Sequence, residues 1–124
     1  MLHYVDLFCG AGGTTTGVEQ AHINGVKCAD VIACVNHDPH AIASHLANHP
    51  GAKHYTEDIR TLDVGPLAEI CNMVRHQHPD DFIVLWASLE CFYMHHLLSE
   101  NITINLYLLY YFADYRELKE ILFH

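Results

Sequence analysis

The glycine-rich segment from Asp6 to Gly13 is the part of the sequence best suited to bind a small ligand. It follows a short apolar run, Leu2 to Phe8, and precedes a stretch of helical character that begins at Thr14. Glycines at a strand-to-helix turn let the backbone approach a ligand closely and adopt dihedral angles that other residues avoid. The helix that follows offers free N–H groups, which suit a carboxylate or a phosphate. Tight turns also use glycine for purely structural reasons, and the missing third glycine of the dinucleotide fingerprint argues against NAD.

Histidine is frequent, with 12 residues in 124, and five of them surround the second predicted helix: His37, His40, His45, His49 and His54. His45 and His49 are four residues apart, a spacing that lets two imidazoles share a metal ion. They lie close to the face of Ile42 and Leu46, which should pack on a sheet, and no Cys-x-x-Cys pair or nearby carboxylate completes a tetrahedral set. We therefore predict no metal site and expect surface or half-buried histidines, whose protonation below about pH 6.5 would make the protein acid-sensitive. A metal-binding protein built on these histidines stays an alternative.

Up to about Leu89 the chain alternates between predicted strands and helices. The predicted strands are Leu2 to Phe8, Val31 to Val35, His54 to Tyr55 and Phe82 to Ala87. The predicted helices run from Thr14 to about Ile23, from Asp38 towards Gly51, and from Val64 to His76. Asp38 would cap the second helix, with Pro39 as its first residue and Gly51 as its stop. This order predicts an α/β fold with a parallel sheet and right-handed crossovers, and the apolar run 82–87 predicts a strand covered on both faces.

Composition limits the classes of protein to which the chain can belong. With 124 residues it has the size of one small domain, and with 51% apolar and 17% charged residues it is not intrinsically disordered. Its 15 acidic and 6 basic residues give a formal net charge of −9, which argues against a self-sufficient DNA-binding protein. No apolar run reaches the roughly 18 residues of a membrane span, and no secretory leader is predicted. Five cysteines without framework spacing fit a reducing cytosol, so we predict a cytoplasmic protein.

The character of the sequence changes after Cys91, so we divide the chain into residues 1–91 and 92–124. All seven glycines lie at or before Gly65 and the last proline is Pro79, whereas residues 104–112 form the uncharged segment INLYLLYYF. Such a segment is either a core element packed on the sheet or foreign sequence introduced by truncation or a shifted reading frame. If it were exposed, it would promote aggregation. We expect a mixture of the two readings, namely foreign sequence that must nonetheless be buried.

The order of the motifs resembles that of the DNA (cytosine-5) methyltransferases. Residues 6–13, DLFCGAGG, resemble the first motif of that family, in which it binds S-adenosylmethionine. The resemblance continues through NHDP at 36–39, NHP at 48–50, EDI at 57–59 and WASLEC at 86–91, about the first three quarters of the chain. It implies a Rossmann-like S-adenosylmethionine-dependent methyltransferase fold, with an incomplete parallel sheet flanked by helices. It also implies an enzyme of DNA methylation, such as those of restriction-modification systems.

The resemblance implies nine cofactor-binding residues: Asp6, Phe8, Gly10, Gly12, Gly13, His37, Asp38, Asp58 and Ile59. Phe8 would pack on the adenine ring, and Gly10 and Gly12 would leave room for the methionine part. Asp58 would accept a hydrogen bond from the adenine amino group, with a solvated loop carboxylate as the alternative.

The ribose contact departs from the family pattern. The family usually carries an acidic residue at the end of the second strand, where it holds the ribose hydroxyls. Here the aligned position is His37, and Asp38 beside it is either a ribose ligand or only a helix cap.

By the same resemblance Cys91 is the catalytic nucleophile. Its thiolate would add to C6 of cytosine and make C5 able to attack the cofactor methyl group, after the base has left the duplex. The family usually has Pro-Cys-Gln, whereas this chain has Glu90 before the cysteine and Phe92 after it. The Glu90 carboxylate should raise the pKa of the thiol and reduce its thiolate fraction. Of the other cysteines, Cys9 belongs to the glycine turn, and three are predicted to be small buried hydrophobic residues: Cys28, Cys34 and Cys71.

Family segments expected after Cys91 are not found in residues 92–124. They are a Glu-Asn-Val segment, an Arg-rich segment, the target-recognition domain and the final helix of the cofactor pocket. We therefore interpret the chain as a truncated fragment that would contact DNA through regions missing from it. Whether the fragment methylates DNA by itself stays open. The alternative is a non-catalytic module that binds S-adenosylmethionine, or a partner protein through an exposed sheet edge.

Overall fold

The computed structural model of the chain describes residues 1–88. The elements of this part are, in chain order, β1 (Leu2–Leu7), α1 (Gly13–Glu19), β2 (His22–Ile23), β3 (Val26–Lys27), β4 (Ala29–Asn36), α2 (Pro39–Asn48), β5 (Lys53–Thr56), α3 (Gly65–Gln77) and β6 (Phe82–Ala87). The predictions for Cys91 and for the segment 92–124 fall outside the described residues. None of the described helices is long and apolar enough to cross a membrane.

Four strands form a parallel sheet in the order β5-β4-β1-β6. The predicted α/β fold, a parallel sheet flanked by helices, is therefore confirmed. All four predicted strands are present, and β6 has the predicted bounds Phe82–Ala87. Because parallel strands point the same way, the residues that follow β1, β4 and β5 meet at one edge of the sheet, its carboxyl edge.

The side chains of β1 and β4 alternate between the two faces of the sheet, and helices pack on both faces. On one face the main core joins these strands to α3: Val5, Leu7, Ala33, Val35, Leu67 and Cys71. On the other face a smaller cluster joins the sheet to α2: Cys9, Cys34 and Ile42. The buried positions of Cys34 and Cys71 agree with the prediction, whereas Cys28 is only half-buried. Two layers of helix on one sheet thus leave the carboxyl edge of the strands free to form a site.

The first helix is shorter than predicted, because the chain turns into a hairpin instead of continuing to Ile23. Helix α1 ends at Glu19, and β2 pairs antiparallel with β3. The two residues between these strands, Asn24 and Gly25, both have positive φ, 51° and 78°. An Asn-Gly pair of this kind favours the two-residue turns that connect hairpin strands, so local turn chemistry overrides the apolar residues around it.

Helix α2 begins as predicted but ends earlier. The Asp38 side chain accepts a hydrogen bond from the His40 N–H, 2.9 Å, and Pro39 is the first helical residue. The helix ends at Asn48 rather than at Gly51. The expectation that Leu46 packs on the sheet is wrong, since Leu46 is 48% exposed. The buried stripe of α2 instead consists of residues 42, 45 and 49, spaced three and four apart, which turns Leu46 towards solvent.

Strand β6 is covered differently from the prediction within residues 1–88. Ile83 and Leu85 pack against the main core, but Phe82 and Trp86 on the other face are 67% and 45% exposed. The prediction of cover on both faces therefore does not hold for the described part of the chain. The register of β6 is nonetheless well defined, with Leu2 opposite Phe82 and Leu7 opposite Ala87.

A polar cluster at the amino edge of the sheet supports this register. The buried His3 ring lies between the Asp30 and Asp81 carboxylates, at 2.7 and 3.0 Å. Asp81 also accepts a hydrogen bond from the N-terminal ammonium. These contacts hold the start of β6 beside the start of β1, so that the two strands end together at the carboxyl edge.

Candidate ligand-binding site

A small cleft opens at the carboxyl edge of the sheet. Its lining comes from the segments that follow β1, β4 and β5: Phe8, Val35, Asn36, His37, Glu57 and Ile59. Three of the nine predicted cofactor residues, Phe8, His37 and Ile59, are brought together there. The other six lie outside the lining: Asp6, Gly10, Gly12, Gly13, Asp38 and Asp58. Sequence reasoning missed Asn36 and Glu57, although both lie inside motifs that it had singled out.

The lining combines apolar surfaces with polar groups, the arrangement that orients a small ligand. Phe8 and Ile59 are half-buried and pack against the main core with part of their surface. Glu57 is exposed, and its backbone N–H donates to the Asn36 carbonyl oxygen at 3.1 Å, which joins the two loops. An aromatic side chain can pack against a flat ring, and a carboxylate can accept hydrogen bonds from hydroxyl or amino donors.

Phe8 enters the cleft through an unusual backbone conformation. Its φ is 63°, in the left-handed region that costs a side-chain-bearing residue about 1–2 kcal/mol. Gly10 follows with φ 55°, and a Cβ placed on it would meet no atom within 4 Å. The open space at Gly10 is consistent with its predicted role beside a ligand, which stays a prediction.

Gly12 is required by the protein's own packing. Its φ is 106°, and a Cβ at this position would lie 2.7 Å from the Cδ2 atom of His49 and 3.2 Å from the Cδ2 atom of His45. Two imidazoles of α2 therefore fill the space that glycine leaves. Any room that Gly12 makes for a ligand is additional to this packing role, and a contact between Gly13 and a ligand likewise stays a prediction.

His37 and Asp38 occupy different environments after β4. His37 is exposed and lines the cleft. The Asp38 carboxylate caps α2, and the Asp38 N–H donates to the Asn36 side-chain oxygen at 2.9 Å. The capping alternative for Asp38 is thus present in the structure, and ribose binding by either residue stays a prediction.

Asp58 is held by a neighbouring cation. The Arg60 guanidinium and backbone N–H donate to its carboxylate, and this contact lowers the pKa of Asp58 to about 2. The acidic residue that lines the cleft is Glu57 instead. A ligand donor at Asp58 would share the carboxylate with Arg60.

Asp6 belongs to a buried chain of hydrogen bonds behind the glycine turn. Its Oδ2 accepts a hydrogen bond from the Thr15 hydroxyl at 3.1 Å, and the same hydroxyl oxygen lies 2.9 Å from His45 Nε2. The Nδ1 atom of His45 lies 2.9 Å from His54 Nε2. Within the described residues, Asp6 Oδ1 is buried without a hydrogen-bond partner. This series of hydrogen bonds links β1, α1, α2 and β5.

The donor in each of these hydrogen bonds can be assigned from Thr15, which has one hydroxyl proton. It gives that proton to Asp6, so its oxygen must accept from the Nε2–H of His45, and His45 Nδ1 then carries the lone pair. Burial raises the pKa of Asp6 to about 6, and burial together with His54 lowers the pKa of His45 to about 4. His45 is therefore neutral at pH 7, as this assignment requires.

The expectation of surface or half-buried histidines is wrong for two members of the group. His45 and His49 are both buried. His49 lies 2.9 Å from the Glu19 carboxylate and 3.0 Å from the Thr16 hydroxyl, so it fastens α2 to α1. Their spacing in the sequence could have indicated this burial, because residues 45 and 49 follow the buried Ile42 by three and seven positions and so lie on the same face of the helix.

Comparisons with known proteins show three similarities. A family model described as C-5 cytosine-specific DNA methylase matches residues 2–84. The type II methyltransferase M.AgeI of Thalassovita gelatinovora is 37% identical over 65 residues, which are 52% of this chain and 14% of that protein. A solved structure described as a DNA modification methyltransferase encoded within a prophage (E. coli) is 30% identical, with a TM-score of 0.49. That match covers 68% of this chain and 22% of the other, so the chain spans a small part of the length of each protein.

We predict that Gly12→Ala lowers the free energy of unfolding by about 2–4 kcal/mol, because the new methyl group adds backbone strain and overlaps His49. Urea denaturation followed by circular dichroism measures the change. Gly17→Ala is the matched control. Gly17 lies in α1 with no atom within 4 Å of a built Cβ, so this variant should gain about 0.5–1 kcal/mol. Equal effects of the two variants would contradict the packing role of Gly12.

We also predict that Asp6→Asn changes the pH dependence of stability. The folded pKa of Asp6, about 6, lies above the ordinary value of 3.8, so the folded state holds the proton more tightly. The contribution of Asp6 to stability is complete below pH 3.8 and is lost as the pH rises through 6. Relative to the variant, the wild type should lose about 1.4 kcal/mol between pH 5 and 7.5. Parallel stability curves for the two proteins in urea titrations would refute this.

Proposed function

The chain belongs to the C-5 cytosine-specific DNA methylase family, and on that premise we propose that it is the cofactor-binding part of a DNA (cytosine-5) methyltransferase. The proposed reaction transfers a methyl group to C5 of cytosine in DNA. The observation that carries the proposal is the cleft at the carboxyl edge, whose lining residues all lie within the matched range 2–84. Parallel α/β sheets bind their ligands at this edge.

S-adenosylmethionine fits the chemistry of the lining. The Phe8 ring and the Ile59 side chain offer apolar surfaces to adenine, and the Glu57 carboxylate can accept hydrogen bonds from adenosine amino or hydroxyl groups. His37 stands at the rim for the ribose, and the open space at Gly10 suits the methionine part. Bound there, the cofactor would supply an electrophilic methyl group on a sulfonium. In this proposal Asp6 has a positioning role, since it holds Thr15 behind the turn and lies outside the lining.

Cys91 is the proposed nucleophile. Its thiolate forms a bond to C6 of cytosine, which moves the electrons of the C5–C6 double bond to C5 and makes that carbon nucleophilic. After methylation, loss of the C5 proton to a base restores the double bond and expels the thiolate. A continuous strand supports this assignment, because β6 ends beside β1 and the Ser88 N–H donates to the Leu7 carbonyl oxygen at 3.3 Å. Cys91 follows Ser88 by three positions, and three extended residues span at most about 11 Å.

A non-catalytic module is the second candidate. The exposed Phe82 and Trp86 on β6 give the described part of the chain an apolar surface that a partner protein could cover. The formal charge of −9 repels DNA, so such a module would need a partner to reach it. In this reading the chain binds S-adenosylmethionine but forms no covalent bond with cytosine.

We predict that Phe8→Ala weakens the binding of S-adenosylmethionine to the full chain about tenfold, because stacking on an aromatic ring contributes about 1–3 kcal/mol per base. Isothermal titration calorimetry measures the dissociation constant. Phe82→Ala is the matched control, since Phe82 is exposed at the amino edge of the sheet and should leave binding unchanged. A wild-type chain that binds no S-adenosylmethionine, or equal weakening by both variants, would remove the cleft from the proposal.

We further predict that Cys91→Ser abolishes covalent trapping of DNA and leaves S-adenosylmethionine binding intact. The trap is a duplex containing 5-fluorocytosine, supplied together with S-adenosylmethionine. After methyl transfer the adduct cannot be released, because fluorine replaces the C5 proton. Denaturing gel electrophoresis detects the adduct, and Cys28→Ser serves as the control that should trap like the wild type. Cofactor binding without trapping by the wild-type chain would support the module and contradict the catalytic reading.

A further inference from the structure

Three buried side chains on the face of the sheet opposite the main core bring metal-binding atoms together. The sulfur atoms of Cys9 and Cys34 and one ring nitrogen of His45 all lie within 4.8 Å of one another. The distance from Cys34 Sγ to His45 Nδ1 is 3.7 Å. In a tetrahedral zinc site, bond lengths of about 2.3 Å to sulfur and 2.0 Å to nitrogen separate two such atoms by about 3.5 Å. We propose that Cys9, Cys34 and His45 form a binding site for a zinc-like divalent cation.

The hydrogen bonds of His45 prepare the correct nitrogen for a metal. Since the Nε2–H donates to Thr15, the lone pair is on Nδ1, which is the atom that faces Cys34. Thr15 in turn donates to the Asp6 carboxylate. Metal-binding histidines usually have their second nitrogen fixed in this way, by a carboxylate or another acceptor that sets the tautomer and orients the ring.

A second observation points to a ligand at this place. The single lone pair of His45 Nδ1 is approached by two groups, the Cys34 thiol at 3.7 Å and His54 Nε2 at 2.9 Å. One lone pair cannot accept both as good hydrogen bonds. A cation between these groups would bind the lone pair and replace the competing protons. Its fourth position is then open to the His54 nitrogen or to water.

The two sulfur atoms fit a borderline-soft cation. Thiolate and imidazole together select zinc over magnesium or calcium, which prefer oxygen. Cysteine binds a metal ion as its thiolate, so the thiol protons of Cys9 and Cys34 must leave when a cation binds. Binding would consequently release protons.

The proposed site is separate from the cofactor cleft. None of its three ligands lines the cleft. Val35 lines the cleft, and the neighbouring Cys34 lies on the opposite face of β4. The cation would join the glycine turn, β4 and α2, the segments that shape the cleft from behind. Spacing along the sequence does not reveal this group, because its members lie in three separate parts of the fold, namely the glycine turn, β4 and α2.

The test is a titration of the full, reduced and metal-free chain with Co²⁺, which reports its ligands by absorption. We expect one equivalent to bind, with a near-ultraviolet sulfur-to-cobalt charge-transfer band and the visible bands of a tetrahedral ion, and Zn²⁺ to displace it. X-ray absorption of the zinc form should then show two sulfur ligands at about 2.3 Å. A wild-type chain that develops no charge-transfer band overturns the proposal without any variant.

Variants identify the ligands. Cys9→Ser and Cys34→Ser should each weaken Co²⁺ binding on the order of 100-fold or more and remove the increase in melting temperature that Zn²⁺ gives the wild type. Cys71→Ser is the matched control, because Cys71 is buried like Cys34 but lies in the main core against α3. It should bind as the wild type does. Retention of the band in both serine variants, or its loss in Cys71→Ser alone, contradicts the assignment.

Discussion

The hydroxyl group of Thr15 holds the candidate site together. It donates to the carboxylate at the end of β1 and accepts from His45 of α2, so one buried group joins three elements behind the glycine turn. Buried polar groups are stable only when they are paired, and an unpaired one costs about 1–3 kcal/mol. The position of α2 against the sheet is therefore set by polar contacts as well as by the apolar contact of Ile42. The cleft has its shape because the turn cannot move independently of that helix.

The packing of α2 against the turn explains the glycine at position 12 and the backbone strain at Phe8. His45 and His49 pack so closely against Gly12 that a side chain there would collide with an imidazole. The backbone has to bend sharply over the two rings, and Phe8 takes a left-handed conformation as part of the bend. Such strain persists where the surrounding structure holds it, and it is common at ligand sites. The aromatic ring that lines the cleft and the buried histidines behind it are thus two consequences of one turn.

The charge of the chain bears on how its proposed function can be carried out. Cytosine methylation requires contact with DNA, yet the formal net charge is −9. The cleft lining also includes the acidic residue Glu57. Affinity for the DNA backbone comes from lysine and arginine, of which the chain has six in total. The family match covers the part that forms the cleft, and the chain spans 14% of the curated relative. The described residues accordingly bear on the cofactor-binding part of the proposed function.

The sequence by itself determined the strands, the parallel sheet, the capped start of α2 and the region of the cleft. Apolar runs, Asp38-Pro39 and the glycine segment are local signals, and the carboxyl edge follows from chain direction alone. Only the tertiary structure decided the exposure of Leu46 and the burial of His45 and His49. It also decided that Glu57, rather than Asp58, lines the cleft. The physical reason is that burial and pairing of a polar side chain depend on groups 30 or more residues away, such as Thr15 for His45, which no local pattern contains.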